Sequence, residues 1–271
     1  MFSSICVDNI ADKCDNFQSE TLIFIDASLE YYHNLIAGVS PNTTVFILDS
    51  QQDGIEQITE ALKIHKLQYC TEINEIHILS HGHPGCLLLG NAELKLETIT
   101  RYQNQLKDWQ NVLAKTANIL LYGCQVAAGI GSVFVLKLSE LTGVHIAAST
   151  DIIGNSKLGG TWNLNYQTGE IHGTLPINPD ILATYEGILA TVLTVTNIND
   201  NGLGSLRQAI SLAQAGDIIQ FDSSLANQKI TLTSGELDIN KNLIIDGVNA
   251  TGLTLSGNNI SRVFHQQPDT T

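Results

Sequence analysis

Basic residues are scarce in this chain of 271 residues: 13 Lys and Arg stand against 27 Asp and Glu, giving a formal net charge of -14. Nucleic acid and anionic membrane surfaces both call for basic patches, so neither is an expected partner. A membrane span is also lacking, because no apolar run approaches the roughly 20 residues that a helix needs to cross a bilayer. Met1–Glu20 is polar and has neither the basic start nor the apolar stretch of a secretory signal. Paired cysteines are missing too. The five cysteines (Cys6, Cys14, Cys70, Cys86 and Cys124) are odd in number, and no two have CxxC spacing. That excludes a disulfide scaffold and a zinc ribbon, and leaves at least one thiol free unless two chains pair.

What is present is enough apolar sequence, 43% of residues, to bury a sizeable core. Residues 1–20 read as a flexible lead-in. From Thr21 to Gly187 strand-like and helix-like segments alternate. The run at 21–26 is short and continuously apolar, as expected of a strand buried on both faces, 44–48 reads as a second buried strand, and 75–80, 118–122 and 144–148 read as further strands. Between them lie helical spacings at 28–37, 53–64, 96–114 and 132–142. The second starts at an Asp53–Glu56 capping box, and the last stops at Gly143. Such alternation predicts an α/β domain with a mainly parallel sheet flanked by helices. Residues 161–166 and 170–173 read as an edge hairpin, with Trp162 packed beneath it and Trp109 anchoring its own helix.

Residues 188–191 read as a linker, and 192–271 change grammar. A short amphipathic helix at 205–214 is followed by strand-sized runs at 218–221, 229–233, 243–246 and 253–255, divided by Asn, Gly and Asp. This predicts the start of a right-handed parallel β-helix, capped by the helix. A rung cannot bury its own apolar face, so an incomplete stack is expected to be the front of a longer protein.

In open parallel sheets, ligands bind beyond the carboxyl ends of the strands. Here those ends carry Asp26, Asp49, Ser80-His81-Gly82 and Gly123-Cys124. A cysteine nucleophile needs a base beside it. His81 and Cys124 end consecutive strands, so neighbouring parallel strands would bring them together. The amides of Gly82 and Cys124 are then candidates for an oxyanion hole, since Gly82 has no Cβ to keep a carbonyl away. His83, beside Pro84-Gly85, is a less favourable base. His77 alternates with Ile76 and Ile78 and reads as structural, and Cys70 and Cys86 as passive.

Rival chemistries fit less well. His77, His81 and His83 offer three imidazoles, but Pro84 and Gly85 stand where a zinc hydrolase motif would continue with an acidic ligand, so no metal is expected. A Cys-x5-Arg phosphatase would need Arg where Ile130 stands. A nucleophile elbow would need Gly where Tyr122 and Val126 stand. No organic cofactor is indicated.

The stretches HILSHGHPGCLLLG (His77–Gly90) and ILLYGCQVAAG (Ile119–Gly129) resemble the paired His-Gly and Cys motifs of caspase-like peptidases, the superfamily that includes gingipains, metacaspases and separase. Their separation agrees with a His about 50 residues before the Cys. This chain departs from caspases in having Tyr-Gly-Cys-Gln where they have Gln-Ala-Cys-Arg/Gln-Gly. The resemblance implies that His81 is the catalytic histidine and Cys124 the nucleophile. It also implies a caspase-like fold, a peptide or protein substrate, and a role for Asp26 or Asp49 in selecting a basic residue before the scissile bond. The segments FIDAS, DGIEQITEAL, ILSHG, LLYGC, AAST and GGTWNL further resemble an uncharacterised bacterial domain, the domain of unknown function numbered 4347, found at the front of very large surface or secreted proteins. Residues 192–271 resemble the opening of β-helices in such proteins. The implied location is extracellular or at the cell surface, with export by a signal not visible in this chain and the cytoplasm as the alternative. The rival to a peptidase is an inert, caspase-like cap or display module at the front of an adhesin-like protein.

Overall fold

A computed structural model describes residues 20–69, 72–171, 173–213 and 216–268. The chain divides into two compact units, Met1–Leu189 and Ala190–Thr271. The expected lead-in, apart from Glu20, and Cys6, Cys14 and Cys70 lie outside the described residues.

The first unit runs β1 (Glu20–Asp26), α1 (Tyr32–Ala37), β2 (Thr43–Leu48), α2 (Gly54–Tyr69), β3 (Ile73–Leu79), β4 (Gly82–His83), β5 (Cys86–Leu89), β6 (Ala92–Lys95), α3 (Gln103–Trp109), β7 (Leu113–Tyr122), α4 (Gly131–Thr142), β8 (His145–Ala148), β9 (Tyr166–Gln167) and α5 (Pro179–Thr184). Six strands form one sheet in the order β2-β1-β3-β7-β8-β9. All its pairings are parallel except β8 with β9. The chain first moves outward from β1 to β2, then returns past β1 to β3. The strand order therefore reverses between β1 and β3, which is where such sheets open a crevice at their carboxyl ends.

Alternation along the strands divides the core. Leu22, Phe24, Ile76, Ile78, Ile119, Leu121 and Ile146 point into one cluster with Ile55, Ile58 and Leu62 of α2, Leu106 and Trp109 of α3, and Phe134 and Leu138 of α4. Trp109 anchors it, fully buried, with Nε1–H donating to Thr59 Oγ1 at 3.0 Å. The alternate residues, among them Ile23, Ile25, His77, Leu79 and Leu120, are buried on the opposite face. Over β7 and β8 that face borders an open pocket of about 690 Å³, lined also by Trp162, Leu164, Ile171, Leu175 and Leu182.

Two local expectations are corrected. The helix expected over 96–114 is a 3-10 turn at Ile99–Tyr102 followed by α3, and β7 begins at Leu113. Ala114 and Lys115 favour helix, but Leu113 pairs with Ile73, and tertiary pairing overrides propensity. The edge hairpin is reduced to Tyr166–Gln167 against Ala148 and Ala147. Asn165 turns its amide to Thr150 and Asp151, and Gly169 lies against the His145 ring. Asp53 does cap α2, its Oδ1 accepting from the amides of Ile55 and Glu56.

The second unit runs β10 (Val192–Val195), α6 (Leu206–Leu212), β11 (Ile218–Phe221), β12 (Lys229–Thr231), β13 (Leu237–Ile239), β14 (Ile244–Asp246), β15 (Thr254–Ser256) and β16 (Phe264–Gln266). Its ladders are all parallel: β10-β11-β14, β12-β15 and β13-β16. Ile218 stands beside Ile244, Lys229 beside Thr254, and Leu237 beside Phe264, so each ladder advances by nearly the same length of chain. The interior is apolar, with Val195, Leu206, Ile210, Ile219, Phe221, Ile230 and Leu237. Among the described residues, no helix is long and apolar enough to cross a membrane.

Candidate functional site

Strands β3 and β7 pair in a fixed register that ends with Leu79 beside Tyr122. Ser80 N–H still donates to Tyr122 O at 3.1 Å. There the strand pairing ends, and His81 and Cys124 each lie two residues past the last pair. The two chains stay in contact past the strand ends: the position of a Cβ on Gly123 is 3.4 Å from Gly82 Cα, and a Cβ on Gly82 would lie 3.2 Å from Gly123 Cα. Glycine at both positions lets the two backbones abut.

His81 is half-buried, and its Nε2 lies 3.3 Å from Ser28 O, just beyond the end of β1. A carbonyl oxygen only accepts, so Nε2 carries the proton and donates. Nδ1 is buried with no hydrogen-bond partner. The imidazole is thus oriented by one backbone oxygen, with its second nitrogen available as a base.

Cys124 is fully buried. Its Sγ accepts from Ile153 N–H at 3.3 Å and donates to Ile153 O at 3.6 Å. The next residue, Gln125, has φ 56, a left-handed conformation that a non-glycine residue adopts at a cost. Its N–H donates to Asp151 O at 2.9 Å, which ties the turn after the cysteine to the segment after β8. Tyr185 belongs to the same neighbourhood. Burial, chiefly, with Glu30 and Cys124 nearby, holds its phenol above the usual tyrosine range, and its O–H donates to Glu30 O at 2.7 Å.

Gly82 is in β4, opposite Leu87, while Leu88 N–H donates to His81 O at 3.0 Å. Gly82 and Leu87 therefore form a non-hydrogen-bonded pair, and the Gly82 amide points away from β5.

The two aspartates differ sharply. Asp26 is fully buried: Oδ1 accepts from Ser28 N–H (2.9 Å) and Ser28 O–H (2.7 Å), and Oδ2 from Gly90 N–H (2.6 Å). These bonds hold the loop that supplies Ser28 O to His81. Asp49 is exposed. The Gln51 N–H and the Gln52 amide hold its carboxyl below the usual aspartate range. Removing the Asp26 carboxylate strands three donors, two of them on the His81-orienting turn. Asp26→Ala is expected to destabilise the first unit by about 3 kcal/mol. The check is the denaturant midpoint followed by tryptophan fluorescence. Asp49→Ala should leave that midpoint essentially where it is.

His77 is fully buried. Its ring is stacked on Tyr122 with centroids 6.0 Å apart, and Nε2 lies 3.5 Å from Glu75 Oε2. Cys86 is buried in β5, where burial, with Glu93 nearby, pushes its thiol up to about 12. Trp162 donates from Nε1 to Leu182 O at 3.2 Å and packs edge-on against Tyr185. Sequence reasoning missed Ser28, Ile153 and Tyr185. The first two act through backbone groups, which carry no side-chain signature, and Tyr185 stands in a segment without periodicity.

No curated protein and no solved structure matches the chain. A protein-family model does match, over residues 22–189, and so spans the sheet, its helices and every group of the site just described. The chain belongs to the family described as a domain of unknown function, DUF4347.

Proposed function

We propose that the first unit is a cysteine endopeptidase of caspase-like type, with His81 and Cys124 as its dyad. One observation carries this reading: histidine and cysteine each stand two residues past the last pair of two neighbouring parallel strands, at the carboxyl rim where open sheets bind ligands. The mainly parallel sheet with helices packed on it suits that type. In the reaction, His81 Nδ1 takes the proton of the Cys124 thiol. The sulfur attacks the peptide carbonyl carbon, and the Gly82 and Cys124 amides receive the oxyanion. The amine leaves with the proton from His81, and water hydrolyses the thioester. Of the two acidic candidates for specificity, only Asp49 offers an exposed carboxylate to a basic side chain.

The substrate is a peptide or protein, in this reading the parent polypeptide or a partner at the cell surface. The second unit is read as the opening of a right-handed parallel β-helix. Its three parallel ladders of near-equal advance support this. Such a unit suits an exported, adhesin-like protein outside the cell, exported by a signal not visible in this chain.

A second reading is an inert cap or display module. Full burial of the Cys124 sulfur favours it. The two are separated by covalent labelling with peptidyl acyloxymethyl ketones, together with cleavage of fluorogenic peptides that vary the residue before the scissile bond. Labelling at Cys124 that depends on His81 is the expected result, with Arg or Lys preferred if Asp49 reads that residue. A folded chain that neither labels nor cleaves, even with its thiol exposed by the variants below, sinks the peptidase and leaves the cap.

A further inference from the structure

The sulfur of Cys124 is covered by one residue from both sides, Ile153 donating through its N–H and accepting through its O. Ile153 is itself pinned. Its carbonyl oxygen also accepts Leu189 N–H at 2.8 Å, Gly154 bridges Ile188 in antiparallel fashion, and Asn155 N–H donates to Gly187 O at 2.9 Å. The segment that does the pinning ends the first unit. It begins at Tyr185, whose ring is buried and whose O–H is latched to Glu30 O, and it closes at Leu189, directly before Ala190 of the second unit. Thr184 and Glu186, at its near end, are exposed.

We propose that Tyr185–Leu189 is an autoinhibitory strap, which holds Ile153 on the Cys124 sulfur and keeps the thiol from substrate until it lifts. The inference rests on the peptidase reading for its purpose but not for its test. A strand of substrate cannot approach the sulfur while both polar groups of Ile153 engage it. Of the two pairings that hold Ile153, the one with Thr161 lies within the unit, while the one with Gly187–Leu189 is short, ends the unit and continues covalently into the next. A cut near Glu186, or tension through Ala190, would remove the strap's bonds and leave Ile153 on its bridge to Thr161, without disturbing β3 or β7. Local opening of this kind costs less than global unfolding, because only a few backbone bonds and one aromatic anchor are lost.

Gly154 supplies a wedge. Its φ is 127, and a Cβ there would lie 2.7 Å from both Gly187 O and Ile188 Cα. Gly154→Ala therefore pushes directly against the strap. Tyr185→Phe is gentler: it keeps the ring and removes only the latch to Glu30 O. The measurement is the rate of alkylation of each cysteine by iodoacetamide in the full chain, resolved by peptide mass spectrometry. Cys86 serves as the internal control, buried in the same unit but away from the strap's hydrogen bonds, with its thiol held neutral.

In the wild type, Cys124 is expected to react at least about 100-fold more slowly than in the denatured chain. Tyr185→Phe should raise its rate roughly tenfold, and Gly154→Ala further, with Cys86 unchanged. The strap is overturned if wild-type Cys124 reacts as fast as in the denatured chain, if both variants leave its rate unchanged, or if Cys86 accelerates in step with it in both. The two readings fail separately. A thiol that follows the strap in a chain that never cleaves peptides refutes the peptidase and keeps the strap. Full turnover by the untreated wild type does the reverse.

Discussion

Peptide turnover in a strap-opened chain should fall by about a thousandfold or more when Cys124 is replaced by alanine, and by a similar factor for His81→Ala. The two losses should not multiply, because the residues serve one covalent step. Without the sulfur there is no thioester; without the imidazole nothing draws the proton from the thiol. What remains in either variant is the binding of peptide and the donors aimed at its carbonyl oxygen. Unfolding is not the reason for the loss. Cys124→Ala removes two weak sulfur hydrogen bonds to Ile153 and one small buried group, a change of about 1 kcal/mol in a unit with an extensive core. Cys86→Ala is the matched control, since Cys86 is also a buried thiol in the same unit, and it should keep full turnover. Initial rates on the preferred fluorogenic peptide, with circular dichroism to show each variant folded, give the answer. Turnover that survives Cys124→Ala removes the dyad from the chemistry.

The rim was readable in the sequence because it follows from features with strong local signatures. Segments such as TLIFID and EIHILS are rich in aliphatic residues on both faces because both faces of their strands are covered, and they form β1 and β3. Once those strands are placed, β3 and β7 end at Leu79 and Tyr122, and His81 and Cys124 follow two residues past each end. What decides the state of the site was not readable. The cover on the sulfur is the amide and carbonyl of Ile153, groups that every non-proline residue possesses. The orienting partner of His81 is likewise a carbonyl, that of Ser28. Asp26 resembled an acid free to meet a substrate; its burial depends on Gly90, 64 residues away, closing over it. Leu113 and Ala114 read as the end of a helix in the sequence, but pairing with β3 draws the start of β7 back to Leu113. Local pattern specified the strands, and contacts distant in sequence specified which polar groups remain unpaired.

Asp200→Ala is expected to destabilise the second unit by about 3–5 kcal/mol while leaving the first unit folded. The carboxylate side chain is 6% exposed and binds three segments. Its Oδ1 accepts from Arg207 Nε (3.1 Å) and Nη2 (2.7 Å), and its Oδ2 from the amides of Thr233 (2.8 Å) and Ser234 (2.7 Å) and from both hydroxyls. Arg207 in turn donates to the carbonyl oxygens of Gly235 and Glu236, so the loss of one anion loosens the join between α6 and the loop before β13. Burial alone would raise the Asp200 carboxyl. The hydrogen bonds from Ser234, Arg207 and Thr233 outweigh it and hold the group well below the ordinary aspartate value of 3.8. Because the folded value lies below the unfolded one, this contribution is fully present above about pH 4 and drains away as the pH falls toward the folded value. Acid should therefore weaken the wild-type second unit over a range where Asp200→Ala shows little further change. Both tryptophans and all seven tyrosines belong to the first unit, so fluorescence follows that unit alone. Far-ultraviolet circular dichroism follows both. The variant should show an early dichroism transition with an unshifted fluorescence midpoint, and hydrogen exchange should quicken at the Thr233 and Ser234 amides. Coincident transitions in wild type and variant would mean that the clasp at Asp200 does not hold the ladders together, and that the apolar interior alone sets the stability of the second unit.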